Sequence, residues 1–204
     1  MSLPDPGFDI TSLSALESLF DAPSKAAIVK ESDRIIPGYR QLIEASPFVA
    51  LATAGAGGLD CSPRGDAGAV AQVLDEKTLV LPDRRGNNRI DSLRNIIHDP
   101  RVALLFLIPG AVLTLRVAGR ARISVDPALL SRFTQEGKPP KVVIVVSVES
   151  VFFQCSRSVA QAGLWDGASH VDASRLPTPE ALLAQRGGAP GDAKYDPRPE
   201  PAGA

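Results

Sequence analysis

Between Phe48 and Phe153 the apolar residues fall into short runs broken by turn signals, and this spacing constrains the fold more than any other feature of the chain. Phe48–Thr53 is a short apolar run, Gly55–Gly58 is a turn, and Leu59–Ser62 returns, which reads as a hairpin. Val70–Leu74 and Thr78–Leu81 are two more strands, joined by Asp75-Glu76-Lys77. Val102–Ile108 is wholly apolar and Pro109-Gly110 turns the chain. Val112–Val125 alternates as a long strand, with Gly119 as a bend or bulge. Val142–Phe153 is a further long strand. Many strands at short spacing with a few helices predict a mainly β protein, a β-barrel with peripheral helices.

The helices lie mostly outside this region. Thr11 or Ser12 caps a helix running to Phe20, with Leu13, Leu16, Leu19 and Phe20 on one face. Pro23 suits the first turn of a second helix ending near Lys30. Asp33 suits the cap of a third, interrupted by Pro37-Gly38 and strongest over Tyr39–Ala45. Arg89–His98 reads as a helix with Ile90, Leu93, Ile96 and Ile97 on one face, stopped before Pro100. Asp126 caps a helix from Pro127 to about Gln135. Pro179–Arg186 reads as a short helix, and 187–204 has almost no large apolar residue to bury, so disorder is expected there. The domain reading is therefore a helical segment over 1–45 packing on the barrel, the barrel over 46–171, and a C-terminal extension over 172–204.

Composition narrows the function. The 204 residues carry a formal net charge of -1, which gives no electrostatic footprint for nucleic acid. Cys61 and Cys155 are far apart and outside any CxxC spacing, so neither a disulfide framework nor a zinc site is expected. His98 and His170 are isolated; His98 suits the dipole at a helix C-terminus. The start MSLPDPGFDI lacks the basic and apolar regions of a signal peptide, and no apolar run is long enough for a membrane helix. A cytoplasmic protein with no membrane partner is expected.

Two polar clusters carry the candidate chemistry. Ser62-Pro-Arg-Gly-Asp66 follows a strand, and Gly65 permits close backbone approach to a ligand. Pro82-Asp-Arg-Arg-Gly-Asn-Asn-Arg89 lies between a strand and a helix, where Asn87 or Asn88 is placed to cap. Free N–H groups at that helix start, with Arg64 and Arg89, make a phosphate clamp. The same residues also fit plain capping and solubility, and spacing alone favours that plainer reading over phosphate binding. Asp66 and Asp91 fit as orienters of Arg64 and Arg89. Cys155, at a strand end, fits a buried structural thiol. The Arg-Gly-Asp triplet is a coincidental match to an adhesion motif.

Five blocks occur in order: Ser62-Pro-Arg-Gly-Asp66, Leu81–Ile96, Leu105-Phe-Leu-Ile-Pro-Gly110, Leu115-Arg-Val-Ala-Gly-Arg-Ala121 and Leu164-Trp-Asp166. Together they resemble the FMN-binding pyridoxamine 5'-phosphate oxidase-like family, in its flavin-nucleotide-binding branch, over about Ser46 to Asp166. The resemblance implies a six-stranded split barrel of Greek-key type and a homodimer with FMN at the subunit interface. It implies that Arg64, with neighbouring Ser62 and Gly65, and the Asn87-Asn88-Arg89 run hold the FMN phosphate. Leu81, Pro82 and Asp83 correspond to the stretch whose backbone faces the flavin ring. Pro82 has no N–H, so a main-chain donor falls to Asp83 or to Asp60–Ser62. Arg116 corresponds to a strand crossing the dimer interface, or simply faces solvent. Trp165 corresponds to an aromatic near the partner's flavin, or anchors a core. Ser156 and Arg157 precede it and reach the same site.

The function this resemblance implies is that of an FMN-dependent oxidoreductase acting on a small molecule. Pyridoxamine phosphate is disfavoured as substrate, because the Cys155–Gly163 segment departs from the family's substrate-phosphate residues. A flavin store or sensor without turnover, and a haem-binding split-barrel relative, are the alternatives.

Overall fold

The computed structural model describes residues 5–155 and 157–188. The chain divides into two compact units, Met1–Ser158 and Val159–Ala204. The first holds seven strands: β1 (Phe48–Gly55), β2 (Gly58–Gly65), β3 (Gln72–Asp75), β4 (Thr78–Pro82), β5 (Arg101–Leu107), β6 (Leu113–Ser124) and β7 (Val143–Cys155). Its helices are α1 (Leu13–Glu17), α2 (Lys25–Val29), α3 (Pro37–Glu44), α4 (Asp91–His98) and α5 (Pro127–Ser131). All pairings are antiparallel and the strands form one sheet in the order β2-β1-β5-β6-β7-β4-β3. The family resemblance implied six strands; the sheet has seven, as the apolar runs themselves count. Its edges, β2 and β3, are not paired with each other among the described residues, so the sheet is open where a closed barrel was expected.

Alternation along the strands builds the core. In β5, Val102, Leu104 and Phe106 are buried while Ala103 and Leu105 face outward. β4 and the Val143–Val146 half of β7 read as continuous apolar runs because both of their faces are covered. Leu79, Leu81, Ile144 and Val146 enter the main core. Val80, Val143 and Val145 pack on the other face against Phe133, with Leu129 and Leu130 of α5 beside them. The β6–β7 register shifts between Ala118 and Gly119, the bulge expected at that glycine. A Cβ at Gly119 would lie 2.1 Å from the Ser147 carbonyl oxygen, so only glycine fits there.

Pro37 opens α3 rather than interrupting it, since the first helical position loses nothing when its N–H is missing. Tyr39 and Ile43, one turn apart, then face the core; full burial of Ile43 contributes about 1.5–3 kcal/mol. Asp33 does not cap this helix but hydrogen-bonds Lys77. Similarly, Ser24 rather than Pro23 sets the start of α2 by accepting from Ala27 N. Ser12 caps α1, which stops at Glu17 short of the expected Phe20. α1 and α2 bury no side chain, so of the helical segment over 1–45 it is α3 that packs on the sheet. α5 starts at the Asp126 cap and ends at Ser131, not Gln135.

In the second unit, Asp166 and Asp172 cap single 3₁₀ turns. Thr178 caps the helix Pro179–Gln185. The expected disorder over 187–204 lies almost wholly outside the described residues. No helix among the described residues is long and apolar enough to cross a membrane.

Candidate functional site

β2 runs to Gly65, so Ser62, Arg64 and Gly65 lie on the strand instead of following it, opposite Leu51, Val49 and Phe48 of β1. Period-two alternation leaves Asp60, Ser62 and Arg64 half-buried on one face and Cys61, Pro63 and Gly65 exposed. Two serine hydroxyls meet at Asp60: Ser62 Oγ at 3.0 Å and Ser92 Oγ of α4 at 2.8 Å. Beyond β4, Asp83 comes to the same face. Arg64 Nη1 donates to Asp83 Oδ1 at 2.5 Å, with both side chains about one-fifth exposed. Arg64 Nε is buried with no partner. Asp66 pairs with Arg84, not with Arg64 as expected. Asp91 does orient Arg89, at 2.8 Å.

The helix start departs from the capping expectation. Asn87 Oδ1 accepts from Arg89 N at 3.1 Å in a local Asx turn. Asn88 sits at φ 58 and Ile90 at φ 53. Asparagine tolerates this left-handed region, whereas a β-branched residue there is an outlier. Ile90, in the cap position, makes no side-chain cap, and α4 begins at Asp91. The strained turn leaves the first-turn N–H groups of α4 without a side-chain acceptor.

These elements frame a cleft of about 930 Å³ between β2, the β4–α4 loop and the α5–β7 loop. Arg64, Arg84, Arg85, Arg89, Lys138 and Lys141 line it, against Asp60, Asp83 and Asp91. Arg64 and Arg89 are paired to aspartates that line the cleft themselves, and Arg84 to Asp66 beside it. Arg85, Lys138 and Lys141 make no ion pair or side-chain hydrogen bond among the described residues. Positive charge therefore exceeds negative, and three cations remain for an anionic ligand. A smaller recess of about 250 Å³ adjoins it at Pro63, Gly65, Val70 and Pro82. Sequence reading missed the lysines, taking 137–140 as a plain loop; its one signal is the pair of lysines flanking Pro139-Pro140.

The other expected site residues separate. Leu81 is buried in the main core. The Asp83 N–H donates to Val142 O at 3.0 Å, so the main-chain donor expected at Asp83 is already engaged. β2 is an edge strand, so only alternate residues along Asp60–Ser62 turn their backbone N–H away from β1. Arg116 is exposed on β6, its guanidinium 5.3 Å from the Phe152 ring centroid. Arg157 is exposed at the start of α6 (Arg157–Gln161). Ser156 lies outside the described residues. Trp165 belongs to the second unit and is partly exposed. Cys155 is exposed, contrary to the buried thiol expected, because it sits at the end of β7 where the sheet runs out. Among the described residues no group of three or more His, Cys, Asp or Glu is placed to hold a metal ion.

Fold and site together define an antiparallel β protein with a cleft rich in cationic side chains between β2 and the loop that follows β4. The family described as pyridoxamine 5'-phosphate oxidase matches residues 35–155, which include the whole sheet and the cleft. The chain belongs to the pyridoxamine 5'-phosphate oxidase family. No curated protein sequence matches it. Among solved structures, HupZ of Group A Streptococcus is 21% identical over 60% of this chain and 95% of its own, with a TM-score of 0.50; this likeness is one of fold. A Lactobacillus delbrueckii protein named for pyridoxamine 5'-phosphate oxidase is 22% identical, over 59% of this chain and 95% of its own, with a TM-score of 0.46. The FAD binding protein of Mycobacterium smegmatis is 13% identical, over 59% and 95%, with a TM-score of 0.41.

Proposed function

We propose that the chain binds FMN in this cleft and acts as a flavin-dependent oxidoreductase on a small molecule. Membership of the family supports a flavin ligand. The observation that carries the reading is Arg64: a guanidinium held by Asp83, with Nε buried and unpartnered, in a cleft where Arg85, Lys138 and Lys141 lack counter-ions. A buried donor without an acceptor costs about 1–3 kcal/mol, and a phosphate oxygen removes that cost. In this reading the seven-stranded sheet forms a split barrel in a homodimer. The exposed strip of β5–β7 that carries Arg116 meets the second copy.

The bound flavin supplies the redox chemistry. The chain's residues bind and orient. The cations would hold the phosphate, and an outward-turned backbone N–H along Asp60–Ser62 would serve as a donor to the flavin ring. Asp60 is engaged by two serine hydroxyls and so serves as an acceptor that ties β2 to α4, not as a proton shuttle.

The test is to incubate the purified protein with FMN, remove excess, and record the visible spectrum. Bound FMN, with riboflavin at least about tenfold weaker, is expected from the phosphate contacts. Oxygen uptake with a nicotinamide or deazaflavin donor then tests turnover. No flavin retained after incubation overturns the reading.

A further inference from the structure

Asp66, paired with Arg84 and not among the residues lining the cleft, is the most connected side chain beside it. Only 7% of its side chain is exposed. Its Oδ2 accepts from Arg84 Nε at 2.9 Å and from Arg84 Nη2 at 2.5 Å. Its Oδ1 accepts from Ala67 N at 2.9 Å and from Gln135 Nε2. Arg84 Nη1 donates onward to the Phe133 carbonyl at 2.5 Å. One carboxylate thus joins the end of β2, the β4–α4 loop and the α5–β7 loop.

The link from Gln135 to the cleft is short. Gln135 and Lys138 exchange both backbone hydrogen bonds, N to O at 3.1 Å and 2.8 Å. Between them Glu136 (φ 48) and Gly137 (φ 76) both occupy the left-handed region, as a tight type I′ turn requires. Fixing Gln135 therefore fixes Lys138, and Phe133 anchors the other side of the turn in the second core cluster. Arg84 sits next to Arg85 in the same way. All three cations without counter-ions in the cleft follow within a few residues of a group that Asp66 or Arg84 holds.

We infer that Asp66 and Arg84 are positioning residues, a clasp that sets the Lys138–Lys141 segment and Arg85 around the cleft for an anionic group of the ligand. Neither needs to touch the ligand. The inference rests on the proposed cleft as the ligand site, and uses only the contacts above.

The experiment is a double-mutant cycle between Asp66→Asn and the pair Lys138→Ala/Lys141→Ala. Affinity is measured for FMN, for riboflavin, and for inorganic pyrophosphate as a flavin-free anion. Asp66→Asn keeps the size and removes the charge that holds Arg84. It is expected to weaken FMN and pyrophosphate by about tenfold and riboflavin by less than about twofold. In the Lys138→Ala/Lys141→Ala background the same change is expected to have a much smaller effect, because only the part that acts through Arg85 remains. Hydrogen exchange in Asp66→Asn is expected to speed up at the Gln135 and Lys138 amides, while the β6–β7 amides keep their protection. Equal loss for FMN and riboflavin overturns the clasp, as does a full additional loss in the lysine-free background or unchanged exchange at the turn. A protein that binds pyrophosphate but not FMN overturns the proposed function alone, and the cycle is then read on pyrophosphate. Binding of neither overturns both.

Discussion

Arg64 and Asp83 join two strands that are never neighbours in the sheet: Nη1 of the β2 arginine donates at 2.5 Å to Oδ1 of the residue that follows β4. β2 stands at one edge and β4 lies beside the other. The contact thus brings the two ends of the open sheet together at the cleft. It leaves Nε of Arg64 buried and unpartnered.

Arg64→Ala removes both the strut and the phosphate donor. FMN affinity is expected to fall by about 1.5–3 kcal/mol, roughly ten- to hundredfold. Riboflavin, which has no phosphate, is expected to change far less. Isothermal titration of both ligands decides the matter, and equal losses for the two place the phosphate elsewhere.

Arg89→Ala is expected to behave differently, although the sequence gives both arginines the same role. The Arg89 side chain is 75% exposed and paired with Asp91 at the surface. Exposed pairs and contacts of this kind contribute about 0.2–1 kcal/mol, so FMN affinity is expected to fall by less than about fivefold. A loss matching that of Arg64→Ala would show that Arg89 leaves Asp91 when the ligand binds.

What the sequence shows here and what it hides follows from the range of each interaction. The β6 strand, its Gly119 bulge and the buried run of β7 are legible because alternation and composition are local. Period two also says that Asp60, Ser62 and Arg64 share a face. It does not say which distant segment meets that face, since register and strand order are set by the whole sheet. Hence Asp83 and not Asp66 meets Arg64, and Asp66 meets Arg84. Asn88 has the composition of a cap, but it takes the left-handed conformation instead and hands the cap position to Ile90. Lys138 and Lys141 look like any solvated loop until Gln135 is seen tied to a residue 69 positions away.

Gly119→Ala tests the bulge. The added Cβ would meet the Ser147 carbonyl oxygen at 2.1 Å and the Val148 Cα at 3.2 Å, both backbone atoms that cannot swing aside. Forcing a methyl group into packed backbone costs about 1–3 kcal/mol. Urea unfolding is expected to show a lower midpoint at unchanged m. An unchanged midpoint would mean that β6 and β7 separate freely at this point.

The turn from α4 into β5 carries a pH-dependent contact. Hydrogen bonds from the Arg101 guanidinium, helped by the Arg101 backbone N–H and by the charges of Arg101 and Arg120, hold the Asp99 carboxyl down at about 2, from an ordinary 3.8. A carboxyl depressed in the folded state stabilises that state only while it is ionised. The contribution is therefore complete above 3.8 and is lost as the pH falls toward about 2. Asp99→Asn removes the charge at every pH. The stability gap between the natural chain and this variant is expected to be constant near neutrality and to close in acid. Because the pair lies at the surface, added salt is expected to narrow the gap as well. Carbon NMR of the Asp99 carboxyl gives the titration midpoint directly, and a midpoint at the ordinary aspartate value would show that the Arg101 contact does not persist in solution.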